Sequence, residues 1–432
     1  MPALKDVLAK RIPSYREKID KLVKEYGEQV ISEVTLKQTL SGLRGVRALM
    51  CDTSCVHAEA GLIIRGRPIA DLADRLPEEL FFLMLTDDLP DKSDLKVLRQ
   101  EINEKAEVPE YVWQILRAMP ATAHPMDMLI TAIASLEDAS VFRLRYEEGM
   151  EREGYWEAAL EDSLMLLAKL PALAAAVYRI RYDKGDLIPY DPALSWAENF
   201  ARMLGNEDAD FADMIRLYLV IHCDHEGGDA SAFASRIVGS GLADAYYAVT
   251  AGLCGMAGPL HGLATQEALR FNLGAVERFG GPPTPEQMTE LAWEVLNAGQ
   301  VIPGFGHPVL TVTDPRFTAF CEFGRSRLAE DPLFQTVEVG AEVIPGVLKE
   351  QGKARNPWPN VDGISGTVLH HFGLTESEYD AVLFSVSRAM GMLAQLVLCR
   401  ATLEPMTTPR SVTLEWLTTC MEATEVAMTP GD

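Results

Sequence analysis

Trp156-Glu-Ala-Ala-Leu-Glu-Asp-Ser-Leu-Met-Leu-Leu-Ala-Lys-Leu-Pro-Ala-Leu-Ala-Ala-Ala-Val-Tyr-Arg179 decides the fold class. Its apolar residues recur at three- and four-residue spacing, the period of a helix packed on a core, whereas a half-buried strand would alternate. Phe211 to Ile221 repeats the pattern, and runs of alternating polarity are few elsewhere. The reading is an all-α fold.

The exception is Gln38 to Asp71, where Gly42, Gly45, Gly61 and Gly66 punctuate short runs such as Gly61-Leu-Ile-Ile-Arg65. That spacing predicts a small β element near the N-terminus. Helix starts are legible in Thr284-Pro-Glu-Gln287, a hydroxyl cap followed by proline and a glutamine. Thr375-Glu-Ser-Glu378 reads as a second capping box, opening a helix that runs to about Cys399. Ala245 to Gln266 has no charged side chain and approaches membrane-spanning length, but its glycines, Pro259 and His261 make it a core helix running into a loop.

The chain has 432 residues and 48% apolar content, more than one core usually supports, so two unequal domains are expected. Turn-rich segments at Gly280-Gly-Pro-Pro283, Ile302-Pro-Gly304 and Asn356-Pro-Trp-Pro359 suggest a smaller domain inserted before the last long helix. The formal net charge of −24 argues against nucleic acid or an anionic membrane as partner, since both reward excess Lys and Arg. Seven scattered cysteines without a Cys-x-x-Cys predict free thiols in a reducing compartment. The N-terminal residues lack signal- and transit-peptide character, which predicts a cytoplasmic protein.

Four of the eight histidines fall in glycine- or proline-rich contexts: His222 and His225 in Ile221-His-Cys-Asp-His-Glu-Gly-Gly228, His261 in Gly258-Pro-Leu-His-Gly262, and His307 in Pro303-Gly-Phe-Gly-His-Pro308. Such loops bring side chains close to a ligand. Each alone reads more readily as a hydrogen-bonded core or cap residue; the combination points to a site. The spacing of His222 and His225 lacks a metal-binding pattern, so no metal is expected. His261 precedes a predicted helix, Leu263 to Phe271, whose N-terminus favours a neutral imidazole able to donate to a carbonyl oxygen. Asp362, in Trp358-Pro-Asn-Val-Asp-Gly363, is a candidate base on a rigid turn, or a helix cap. Arg388 is the only charged residue between Asp380 and Arg400 and demands an anion. That anion is a structural carboxylate or a substrate's, and Arg316 faces the same choice.

The segments His222 to Gly228, Gly258 to Glu267, Val301 to Arg316, Glu350 to Asp362 and Ser385 to Gln395, with Gly42-Leu-Arg-Gly-Val46 and Tyr155-Trp-Glu157, resemble the eukaryotic-type citrate synthases nearly end to end. The resemblance implies an enzyme that condenses an acyl-CoA, by default acetyl-CoA, with a 2-oxo acid, by default oxaloacetate. It implies a homodimer with no cofactor beyond coenzyme A. A large domain of residues 1–262 and 374–432 would carry a small inserted one, 263–373, that closes over the substrates. Carried over by position, Asp362 matches the base, His261 the enolate stabiliser and His307 the acid at the oxo-acid carbonyl. His225, Arg316 and Arg388 match oxo-acid ligands; Arg44, Arg152 and Lys353 match CoA ligands.

Three departures accompany it. Thr408, in Thr407-Thr-Pro-Arg-Ser411, stands where the family has an arginine that reaches the neighbouring subunit's site. Thr311 and Val312 replace a CoA-phosphate arginine and its lysine neighbour, and Asp229 stands where an asparagine is common. They leave open a paralogue for another oxo acid or a longer acyl-CoA, or a weakened binding protein.

Overall fold

The computed structural model describes residues 4–262 and 264–428, with side chains through Glu422. Helices dominate it, as the periodicity predicts. The Tyr155–Arg181 helix lies at the centre and packs most extensively on the Asp380–Ala401 helix. Both are long and apolar enough to cross a membrane, but most of their length is buried inside the protein, as core helices are.

Pro171 interrupts the backbone ladder of the Tyr155–Arg181 helix, because it has no N–H to give the carbonyl of Leu167. The indole Nε1 of Trp196 donates to that carbonyl at 3.0 Å from the neighbouring Trp196–Leu204 helix. The deficit in one helix is thus met by the side chain of another, and Trp196 itself is buried.

The three-stranded antiparallel sheet Ser54–His57, Gly61–Ile64 and Arg67–Pro68 falls inside the glycine-punctuated segment. It is pinned to the helical body through Asp224, whose carboxylate accepts from the hydroxyls of Thr53 and Ser54 and from Gln395 Nε2 at 2.9 Å.

Ala245–Met256 is a helix ending in the loop that carries His261, and it lies across Ala230–Ser240 and Asp380–Ala401. Gly252 permits that crossing: a Cβ there would meet Met392 Sδ at 2.2 Å and the Ser231 carbonyl at 2.9 Å. The next helix is described from Ala264 to Phe279, longer than predicted; Leu263, the expected start, lies outside the described residues. The Thr284 capping box forms as read.

The second capping box does not. Ser377–Tyr379 is a single 3₁₀ turn, and the helix begins at Asp380 without a side-chain cap. Glu376, within the predicted box, instead pairs with Lys184 at 2.6 Å and accepts from the Tyr178 hydroxyl at 2.9 Å. Glu378, the glutamate such a box needs at its third helical position, lies 3.7 Å from Arg181 instead.

A main core runs through the helices on both sides of the chain, and a separate cluster forms around Met288, Ala292, Ile302, Ile344, Val347 and Leu348. Phe317, Phe320 and Phe334 lie between these segments in sequence yet join the main core.

The substitution Trp196→Phe removes the donor to Leu167 while keeping most of the apolar volume. Chemical denaturation is expected to show a loss of about 1–3 kcal/mol, the usual cost of an orphaned buried acceptor.

Candidate active site

His225 lies in the turn after the Ala209–Ile221 helix, where Glu226 adopts φ 64° and folds the chain toward the Ala230–Ser240 helix. Burial, with Arg316 and Arg388 nearby, pulls its pKa down to about 3, so the imidazole is neutral. Its ring centroid is 5.7 Å from that of His307.

His307 is held by a loop with two left-handed glycines, Gly304 at φ 79° and Gly306 at φ 91°. A Cβ on Gly304 would lie 2.5 Å from Gly363 Cα, so the loop can meet the Asp362 segment only because both residues are glycine. Three hydrogen bonds zip the two together: Gly306 N to Trp358 O, Asn360 N to Gly304 O at 2.9 Å, and Asn360 Nδ2 to Gly306 O at 2.7 Å. His307 Nδ1 accepts from the backbone N–H groups of Val309 and Leu310, each at 3.1 Å. The neutral ring therefore carries its proton on Nε2, as a donor. Burial and the Arg316 charge hold its pKa below the usual histidine range.

Asp362 is the first residue of the Asp362–His371 helix, and its backbone N–H donates to Asn360 Oδ1 at 3.0 Å. Its side chain accepts from the Thr265 hydroxyl at 3.1 Å. Burial pushes its pKa up, against the lowering effects of Arg316 and Thr265, which suits a carboxylate that must take a proton.

His261 offers Nε2 to Ser231 Oγ at 2.9 Å, and Asp229 Oδ1 lies 3.3 Å from the same nitrogen. Its pKa is lowered, as expected, but chiefly by burial.

Arg388 has 1% of its side chain exposed; its NH1 donates to Asp229 Oδ2, and its Nε to the His222 carbonyl at 3.3 Å. Arg316, also buried, donates from NH2 to Asp314 Oδ2 at 2.7 Å and from Nε at 3.1 Å. Both guanidinium groups thus meet structural carboxylates here. His222 is a core residue, buried against Tyr218 with Nδ1 3.0 Å from its carbonyl. Among the described residues no cluster of metal-ligating side chains forms.

His261, His307 and Asp362, with His225, Arg316 and Arg388, therefore form one mutually interacting group. Arg44, Arg152 and Lys353 do not join it: all three are exposed. Arg152 lines a pocket with Tyr155, Ser240, Leu403 and Met406, none of them a member of the group. Thr408 and Arg410 are exposed in the segment after the last long helix. Thr311 bonds the Ala58 carbonyl through its backbone at 2.8 Å, stitching the His307 loop to the sheet. Sequence reasoning missed Ser231, Thr265, Asn360 and Asp314; of these, Asp314 before a proline carried a readable cap signal.

The family model for the citrate synthase C-terminal domain matches residues 42–406. This chain belongs to the citrate synthase family. It is 42% identical over 424 residues to citrate synthase 4, mitochondrial, of Arabidopsis thaliana, covering 96% of this chain and 90% of that one. With the mitochondrial citrate synthase of Saccharomyces cerevisiae it shares 42% identity over 422 residues, 95% and 88% of the two chains. The citrate synthase structure from Pyrobaculum aerophilum superposes with a TM-score of 0.78 at 28% identity, covering 89% of this chain and 95% of the other. The protein is an enzyme, a transferase that makes citrate from acetyl-CoA and oxaloacetate, and the family needs no cofactor besides the CoA of its substrate. The cytoplasmic expectation is corrected: both relatives are named mitochondrial, which points to the mitochondrion.

Asp314→Asn leaves Arg316 buried against a neutral partner, and breaking such a pair typically costs about 3–5 kcal/mol. Burial raises the Asp314 pKa, but Arg316 outweighs it and the net shift is downward. A depressed carboxylate contributes stability above its unfolded pKa and loses it as pH falls through the folded one. Urea unfolding is thus expected to show a large gap between wild type and variant at neutral pH that narrows below pH about 4.

Proposed function

We propose that the roles divide as follows. Asp362 removes a proton from the methyl group of acetyl-CoA, and the neutral His261 donates to the thioester oxygen as the enolate forms. The enolate carbon attacks the oxaloacetate carbonyl, and His307 passes its Nε2 proton to the new alkoxide. Hydrolysis of the resulting thioester by one water releases citrate and CoA. The observation that carries this reading is the fixed tautomer of His307, whose proton two backbone N–H groups direct to Nε2, beside a His261 whose pKa burial lowers and an Asp362 whose pKa burial raises. Two neutral donors and one basic carboxylate are what enolisation and carbonyl addition require.

His225, Arg316 and Arg388 hold the oxo acid, and Arg44, Arg152 and Lys353 take the CoA phosphates. The small unit, residues 263–373, closes over both and excludes water; the apolar cluster around Met288, Ile302 and Ile344, separate from the main core, supports motion of that part of it. The protein works as a homodimer. Exposed Val238, Tyr247 and Leu260, on or beside the packed helices Ala230–Ser240 and Ala245–Met256, support that assembly. Arg44, Arg152 and Lys353 lie outside the catalytic cluster of one chain, which a second subunit or closure would remedy.

Release of free thiol from acetyl-CoA should require oxaloacetate and fall by about 10²–10⁴ in Asp362→Ala. Undiminished release in that variant would remove Asp362 from the mechanism. Thr265→Val deletes a hydrogen bond that lowers the Asp362 pKa. The acid limb of kcat/KM is expected to move to higher pH by about one unit, since a hydrogen bond to a charged group is worth about 1.5–3 kcal/mol. At Thr408, restoring an arginine should lower the KM for oxaloacetate by roughly one to two orders of magnitude on the same scale. An unchanged KM would mean that this segment does not reach a site.

A further inference from the structure

We infer that Asp229 is a built-in competitor for the substrate's carboxylate, occupying Arg388 in the empty site and yielding it when the oxo acid binds. The inference rests on the proposed role of Arg388 as an oxo-acid ligand. Arg388 lies almost wholly out of water, and of its donors Nε is taken by the His222 carbonyl and NH1 by Asp229. The charge that this guanidinium would offer a substrate is therefore already compensated by the protein.

Asp229 differs from the other buried carboxylate of the site in how it is held. Asp314 is fully buried, caps its own helix and receives Arg316 through Nε and NH2. It also accepts the Val361 backbone N–H at 3.3 Å, so its place is fixed by the fold. Asp229 precedes the Ala230–Ser240 helix but makes no side-chain cap bond there, and its side chain is 15% exposed. Its carboxylate bridges two site residues, one oxygen on Arg388 and the other 3.3 Å from His261 Nε2. Its partial exposure lets the carboxylate turn away from Arg388 toward water, so displacement does not strand the charge. His225 and Arg316 act on the same carboxylate through space.

A purely structural partner and a competitor predict opposite signs. If Asp229 only held Arg388 in place, its loss would loosen the guanidinium and weaken oxo-acid binding. If it competes, its loss frees the guanidinium and tightens binding. The isosteric Asp229→Asn is expected to lower the KM for oxaloacetate about tenfold, the scale of one charged hydrogen bond. Without ligand the variant should melt below wild type, because Arg388 has lost its counter-charge. Added oxaloacetate should then raise its melting temperature by more than it raises that of wild type. Asp229→Ser, tested the same way, guards against a fault particular to one side chain. An oxaloacetate KM unchanged or raised in both variants, with wild type turning over normally, overturns the inference. Wild type that releases no CoA with acetyl-CoA and oxaloacetate overturns the functional reading instead.

Discussion

Arg388 stands in the middle of an apolar helix with 1% of its side chain exposed, so its charge has to be met from inside the protein. The partners that meet it come from separate elements: the His222 carbonyl at the end of the Ala209–Ile221 helix, and Asp229 at the start of the Ala230–Ser240 helix. The Phe384 ring, one turn away on the same helix, lies 4.8 Å beneath the guanidinium. One residue along, the Ser387 hydroxyl donates to the Leu219 carbonyl at 2.6 Å. Two helix ends are thereby registered against the Asp380–Ala401 helix, and the turn between them carries His225. The position of a site histidine follows from the need to neutralise one buried cation.

The other half of the site rests on close approach of backbone rather than on charge. Gly304 and Gly363 touch, and Asn360 donates from both its backbone N–H and its side-chain amide to carbonyls of the His307 loop. His307 and Asp362 are therefore spaced by main-chain contacts that no side-chain rotation alters. Asp314 joins this unit to Arg316 and accepts from Val361, the residue before Asp362. Such rigidity fits groups whose mutual distance has to be right before substrate arrives.

What the sequence revealed, and what it hid, divides along these lines. Helical period, the short sheet and the Thr284 cap are local properties, and each formed as read. His261, His307 and Asp362 were visible because glycine- and proline-rich turns around a titratable residue are unusual. The Thr375 box did not form, and its glutamate, Glu378, faces Arg181, nearly two hundred residues away. The demand of Arg388 for an anion was legible; that Asp229 would answer it was not, since the pairing depends on how three helices meet. Exposed Arg44, Arg152 and Lys353 carry no local signal at all, and only resemblance singled them out.

The two buried arginines also explain how a chain with net charge −24 can present an anion-binding site. Long-range attraction is unfavourable, so the positive charge is concentrated, desolvated and paired locally by Asp314 and Asp229. The same cations, with burial, hold His225 and His307 neutral. A bound dianion would offset those charges and raise the histidines' pKa values from their depressed starting point. His307 begins as a neutral ring with its proton on Nε2, and substrate binding would make its environment more tolerant of positive charge. Under the proposed roles, recognition and proton transfer are coupled through one electrostatic balance, since the arginines proposed to receive the oxo acid also set the protonation of the histidines beside them.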